Sequence, residues 1–161
     1  MKNNHFYNIN IIKMKLNNKQ EEAYSYFTQG KNIFLTGPGG VGKTTLIKKL
    51  IEVSKHRNIA VTSTTGTSAL LLNGTTLHSY LGIGLGNDNV DVLIDKIRTR
   101  RWLNRRWQFL ECLFIDEVSM LSSELFDKIE KIARTIRSKM RPFGGIQLVL
   151  SGDFLQLPCI G

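Results

Sequence analysis

Four short runs of apolar and β-branched residues, each followed by a helical stretch or a polar loop, predict an α/β domain with a mostly parallel sheet. The runs are Ile33–Thr36, Asn58–Ser63, Cys112–Ile115 and Ile146–Leu150. They are apolar at odd and even positions alike, as strands covered on both faces must be. A glycine-rich turn, Gly37-Pro38-Gly39-Gly40-Val41-Gly42, joins the first run directly to a helical segment. That join needs backbone that only glycine supplies cheaply.

The elements follow in order. Leu16–Gln29 reads as a helix, with Ala23, Tyr24 and Phe27 near helical spacing, Asn17 as cap with Gln20 three positions on, and Gly30 as stop. Thr44–Ser54 is the helix after the glycine turn. Gly66–Leu72 is a short helix broken at Asn73-Gly74, and Leu77–Leu81 another short piece. Gly82–Asp91, rich in Gly, Asn and Asp, is expected to be a mobile loop. Val92–Ile97 and Trp102–Phe109 are helix candidates. Ser122 or Ser123 caps a long helix whose Leu125, Phe126, Ile129, Ile132, Ala133 and Ile136 form one stripe, with Glu130 and Arg134 paired on its wet side. Pro142 and Gly144-Gly145 close that unit before the last strand.

The 161 residues suffice for one domain with a sizeable core. A net charge of +9 favours a polyanionic partner. No apolar stretch approaches the roughly 20 residues that cross a bilayer, and no signal-peptide pattern is present. The two cysteines, Cys112 and Cys159, lack metal-ligand spacing. Cys112 reads as a buried small hydrophobe and Cys159 as incidental, which suits a reducing, intracellular compartment: nucleus or mitochondrion in a eukaryote, the host-cell interior for a virus. Residues 1–15, rich in Asn and Lys, are expected to form a flexible arm, with a weak targeting segment as the alternative, and residues 16–161 one domain. The chain is expected to be a monomer without membrane association.

Gly37-Pro38-Gly39-Gly40-Val41-Gly42-Lys43-Thr44 fits G-x-x-x-x-G-K-[ST] between strand and helix, the setting of a P-loop. Backbone N–H groups of the turn, together with Thr45 on the helix N-terminus, should cradle the phosphates of ATP or GTP. Lys43 should reach the β- and γ-phosphates, and the Thr44 hydroxyl should ligate Mg²⁺. Asp116-Glu117 follows a buried strand whose carboxyl end lies on the same side of a parallel sheet as the P-loop. Asp116 is therefore the second Mg²⁺ candidate, and Glu117 the candidate to orient and deprotonate the attacking water. Gln156, in the loop after the last strand, has an amide that could sense the γ-phosphate, or it is simply solvated. Gln20 could read the adenine edge or belong to its own helix cap, and both readings stand. The hydroxyl-rich Thr62–Ser68 and Gly74–Tyr80 segments offer phosphate ligands and, in Tyr80, a base-stacking ring. Polar loop, core tyrosine and satisfied histidine are the ordinary alternatives. Lys96–Arg106 interleaves six cations with Trp102 and runs on to Trp107. It suits a nucleic-acid backbone, and equally a solvated helix face with its tryptophans turned inward.

These stretches, with Phe114–Leu121 and Pro142–Pro158, resemble in order the N-terminal motor domain of the PIF1-type DNA helicases of superfamily 1. The strand Phe143-Gly144-Gly145-Ile146-Gln147 joined to Gly152-Asp153-Phe154-Leu155-Gln156-Leu157-Pro158 is particular to that family. The resemblance, from about Leu16 to Ile160, implies a RecA-like, three-layer P-loop NTPase fold with ATP and Mg²⁺ as ligands. It implies movement 5′ to 3′ on single-stranded DNA, in repair, recombination, replication or telomere and mitochondrial DNA maintenance. It makes Gln20 the adenine reader, Asp116 and Glu117 the Mg²⁺ and base residues, and Gln156 the γ-phosphate sensor. Thr64, Thr65, His78 and Tyr80 become DNA contacts. Thr67-Ser68 departs from the family's small apolar pair, and Cys159 from a usual second proline. A functional loop so near Gly161 suggests a piece of a larger machine whose second motor domain, in cis, completes the ATP site. The chain alone should then hydrolyse slowly and fail to unwind a duplex. A stand-alone P-loop ATPase or nucleotide kinase is one alternative, and a nucleotide-gated DNA-binding module without turnover another.

Overall fold

The computed structural model describes residues 15–40 and 42–155. Five strands form one sheet: β1 (Ile33–Thr36), β2 (Ile59–Ser63), β3 (Thr75–Thr76), β4 (Cys112–Asp116) and β5 (Gln147–Gly152). Their order across the sheet is β1-β5-β4-β2-β3, and every pairing is parallel. The helices are α1 (Asn18–Thr28), α2 (Lys43–Val53), α3 (Gly66–Leu71), α4 (Leu77–Leu81), α5 (Val90–Thr99), α6 (Arg101–Phe109) and α7 (Ser123–Arg137), with 3₁₀ turns at Val118–Met120 and Pro142–Gly145.

β4 shows why the arrangement is three layers. Leu113 and Ile115 enter one core with Leu77, Leu93, Ile97, Trp107 and Ile129 from α4 to α7. Cys112 and Phe114, on the opposite parity, enter a second core with Phe27, Leu46 and Leu50 from α1 and α2. A period of two therefore feeds two separate apolar layers. This is the RecA-like P-loop architecture. Burial pushes the Cys112 thiol up to about 12, so it is a packing residue.

Most elements match the pattern within two residues at each end. The stripe on α7 holds, with Ile129, Ile132, Ala133 and Ile136 buried, and Glu130 pairs with Arg134 at 2.8 Å. Two expectations need correction. The glycine stretch after Leu81 is a packed connection ending in the α5 cap at Asn89, not a loose loop. Ile83 is buried in the first core, Gly86 donates its N–H to the Ile83 carbonyl, and the Lys128 ammonium donates to the Gly86 carbonyl. β3 was not foreseen, because two residues carry no periodicity. Thr75 and Thr76 become a strand only by pairing with Thr62 and Ser63. The proposed arm lies outside the described residues apart from Lys15, as do Val41, Gln156 and Cys159.

The Phe143–Gln147 motif has a mechanical role. Gly144 sits at φ +60°, and an added Cβ would lie 2.7 Å from the Ala133 carbonyl oxygen, so the turn against α7 excludes other residues. Gln147 is buried at the start of β5. Its Nε2 donates to the carbonyls of Phe27 (3.0 Å) and Lys31 (2.8 Å), while its Oε1 accepts from Arg57 Nη1 (2.8 Å). One amide thus joins the end of α1, the lead into β1 and the lead into β2. Arg137 closes the other side, donating to the carbonyls of Trp107, Gln108 and Leu110 at the end of α6 and to Gly144, each at 2.8 Å.

Gln147→Leu keeps the bulk and removes all three bonds, leaving the Phe27 carbonyl only its Gly30 N–H partner at 2.9 Å and taking a partner from the Lys31 carbonyl and the Arg57 guanidinium. It should cost about 1–3 kcal/mol in urea unfolding, more than an exposed Gln→Leu control such as Gln108→Leu. In a Cys159→Ser variant, Cys112 should resist iodoacetamide at neutral pH and react once denaturant opens the chain.

Candidate functional site

A parallel sheet opens all its carboxyl ends on one side, and the predicted nucleotide residues meet there. Gly39, Gly40, Gly42, Lys43, Thr44, Thr45, Asp116, Glu117 and Asp153 line one cleft of about 350 Å³. A wider recess of about 650 Å³ adjoins it through Gly42 and Lys43 and is lined by Gln20, Tyr26, Phe34, Gly37 and Pro38 among others.

Gly42 caps α2 in the left-handed region, φ 83°, which turns the chain from loop into helix. The Lys43 ammonium lies back over the loop, donating to the carbonyls of Gly37 and, at 3.0 Å, Pro38. Thr44 is exposed on the first turn of α2. Gln20 belongs to its own helix cap, one of the two sequence readings. Its Oε1 accepts from Asn17 N (3.0 Å) while its N–H donates to Asn17 Oδ1 (2.9 Å), a reciprocal capping box. Its Nε2 donates to the Gly42 carbonyl at 3.2 Å, tying α1 to the phosphate loop.

At the end of β4, the Asp116 carboxylate is held from the first turn of α3 and from the end of β5. Ser68 Oγ donates to Oδ2 at 2.5 Å, and Ser151 Oγ donates to Oδ1. Its backbone carbonyl accepts from Thr64 N (3.2 Å) and Ser63 Oγ (3.1 Å). Glu117 follows at φ 54°, ψ 40°, left-handed backbone that a β-carbon disfavours. Burial pushes the Glu117 carboxyl up, the Asp116 and Asp153 carboxylates push the same way, and Lys43 opposes them.

Sequence reasoning gave Ser68, Ser151 and Asp153 no part at the carboxylate. Asp153 carried a usable signal, an acid three residues beyond an apolar strand, in a loop on the same side of the sheet as Asp116. The serine contacts span 48 and 35 residues and had none.

Of the four DNA candidates, Thr64, Thr65 and Tyr80 are tied into the fold. Thr64 Oγ1 donates to the Glu117 carbonyl at 2.8 Å, and Thr65 Oγ1 accepts from Ser68 N at 3.3 Å as the cap of α3. His78 is half-buried on α4. Tyr80 is half-buried beneath Arg106, and burial pushes its hydroxyl up, partly offset by that guanidinium. The Thr64 bond ties the segment after β2 to the backbone of the acidic pair.

A magnesium-bound triphosphate suits the cleft. Thr44 and Asp116 offer the hard oxygens that Mg²⁺ takes, and Lys43 offers positive charge beside backbone N–H groups. Among the described residues no group of three or more His, Cys, Asp or Glu could hold a metal, so an ion here would rely on phosphate oxygens and water as well. No described helix is long and apolar enough to cross a membrane.

Comparison with known proteins agrees with this geometry. Over 152 residues the chain is 53% identical to uncharacterized protein 030L of Invertebrate iridescent virus 6, covering 91% of this chain and 29% of that protein. It is 45% identical over 157 residues to the ATP-dependent DNA helicase PIF1 of Saccharomyces cerevisiae, covering 92% and 18%. The crystal structure of Pif1 helicase from Candida albicans superposes with a TM-score of 0.87 at 40% identity, covering 92% and 35%. The chain thus spans about a fifth to a third of the proteins it resembles. Residues 15–161 match the family described as PIF1-like helicase, and with the P-loop, acidic pair and strand order above, the chain belongs to that family, in its N-terminal motor domain.

Proposed function

We propose that this chain is the ATP-binding and hydrolysing first motor domain of a 5′–3′ DNA helicase acting on single-stranded DNA, in repair, recombination, replication or telomere maintenance. The observation that carries the reading is the shared cleft, where Lys43, Thr44, Asp116 and Glu117 arrive from two strand ends. Bound Mg²⁺ would neutralise charge on the phosphate oxygens, with Thr44 and Asp116 as its protein ligands. Lys43 would leave the Gly37 and Pro38 carbonyls and turn to the phosphates. Glu117 would accept the proton of the attacking water, and Ser68 and Ser151 would keep Asp116 facing the cleft. Gln20 would read adenine from the wider recess, and Gln156 would sense the γ-phosphate. Thr64, Thr65, His78 and Tyr80 would face the DNA strand, with Thr64 relaying strand binding to the acidic pair. In the full-length protein a second motor domain in cis would complete the ATP site, so the chain alone would turn over slowly and not unwind. A monomer in a reducing compartment is part of the same proposal.

ATPase activity with and without a dT oligonucleotide tests the reading. Stimulation by the oligonucleotide supports the motor, whereas stimulation by a small phosphate acceptor would make the chain a kinase. Nucleotide binding with no turnover under any condition would make it a gated binding module. Glu117→Gln should lower turnover about 10²- to 10⁴-fold while calorimetry still shows Mg·ATP uptake.

The same variant has a second readout without nucleotide. A carboxyl whose folded-state affinity for protons is raised favours folding below the unfolded value and loses that advantage as pH rises through the folded one. Glu117→Gln should therefore melt higher than the parent above that window, and the gap should close in acid.

A further inference from the structure

Helix α6 turns a second surface to solvent that the ATP cleft does not use. Its buried side is Leu103 and Trp107, and Trp107 Nε1 donates to the Leu81 carbonyl at 3.0 Å. Its outer side carries Trp102 and Phe109, each 58% exposed. Of the two tryptophans in the basic stretch, one is therefore core and the other is not.

The exposed ring is organised. The Arg106 guanidinium lies 5.0 Å from the Trp102 ring centroid and 4.6 Å from that of Tyr80, and its Nη1 donates to the Tyr80 carbonyl at 2.8 Å. Ring, guanidinium and ring form a ladder joining α6 to α4. One helical turn on, Arg105 stands 5.8 Å from the Phe109 ring. Arg98, Arg101, Arg105 and Arg106 have no carboxylate partner among the described residues. Exposed aromatic rings spaced by unpaired arginines are the chemistry of a surface that stacks bases and neutralises phosphates.

We propose that Trp102, backed by Arg106 and Tyr80, is a base-stacking platform for single-stranded nucleic acid, with Arg101 and Arg105 holding the flanking phosphates. It rests on the reading of the chain as a DNA-strand motor and deepens it. The strand passing His78–Tyr80 continues onto α6. The buried face of Tyr80 then serves to hold Arg106, and Arg106 to hold Trp102 flat.

Trp107 is 1% exposed, so intrinsic fluorescence that responds to a ligand reports Trp102. The test is a titration of the chain with a dT oligonucleotide at low salt, followed by tryptophan emission and by anisotropy of a labelled strand. The expected result is quenching in the parent, its loss in Trp102→Leu, and affinity about ten-fold weaker there, within the range for one stacked base. Trp102→Phe, which keeps a ring, should recover part of that affinity. Arg105→Ala should reduce the salt slope by about one. Equal binding by parent and Trp102→Leu would overturn the platform while leaving the motor reading standing. The same quenching by heparin, which has no bases, would also overturn it. Failure of the parent to bind any oligonucleotide would overturn both.

Discussion

Burial of β4 on both faces governs this molecule. A strand with apolar side chains of both parities must be central, and its neighbours must carry helices on each side. Leu113 and Ile115 set one layer, Cys112 and Phe114 the other, so the strand cannot slip by one residue without exchanging the two cores. The next residue in that rigid register is Asp116. Its place beside the P-loop is inherited from packing rather than from contacts with a ligand. The hydroxyls of Ser68 and Ser151 then fix its rotamer from the ends of two neighbouring units.

The polar connections divide the work differently. Gln147 gathers the carboxyl-terminal end of α1 and the leads into β1 and β2 at the base of the sheet, and Gln20 ties α1 to the phosphate loop at the top. Helix α1 is thereby fastened at both ends, by side-chain amides, to the body that carries the nucleotide cleft. Such long-range amide bonds are worth little apiece in water. Removed from solvent they are costly to leave unmade, which makes them geometric rather than energetic fixtures.

The strands, the P-loop, the acidic pair and the α7 stripe were legible because each is a local pattern: an apolar run, a glycine spacing, a repeat of 3.6. β3 was invisible because its existence depends on β2. The Gly82–Asn89 connection looked loose because glycines dominate it, and one buried isoleucine with a distant lysine decided otherwise. Trp102 and Trp107 were read as a pair, although Leu103, Trp107 and Leu110 already spell out the inward face of α6. Ser68 looked like a mild departure in a polar loop. Its partner is far away in sequence, and no single-sequence pattern reports that.

Glu117 occupies backbone that glycine would adopt without strain, and its carboxyl is crowded by two others of like charge. Folding alone would select against it on both counts. A screen of this chain for thermostability, run blind to chemistry, would therefore be drawn toward that one residue, and, on the function proposed above, its best survivors would be the least able to turn over nucleotide.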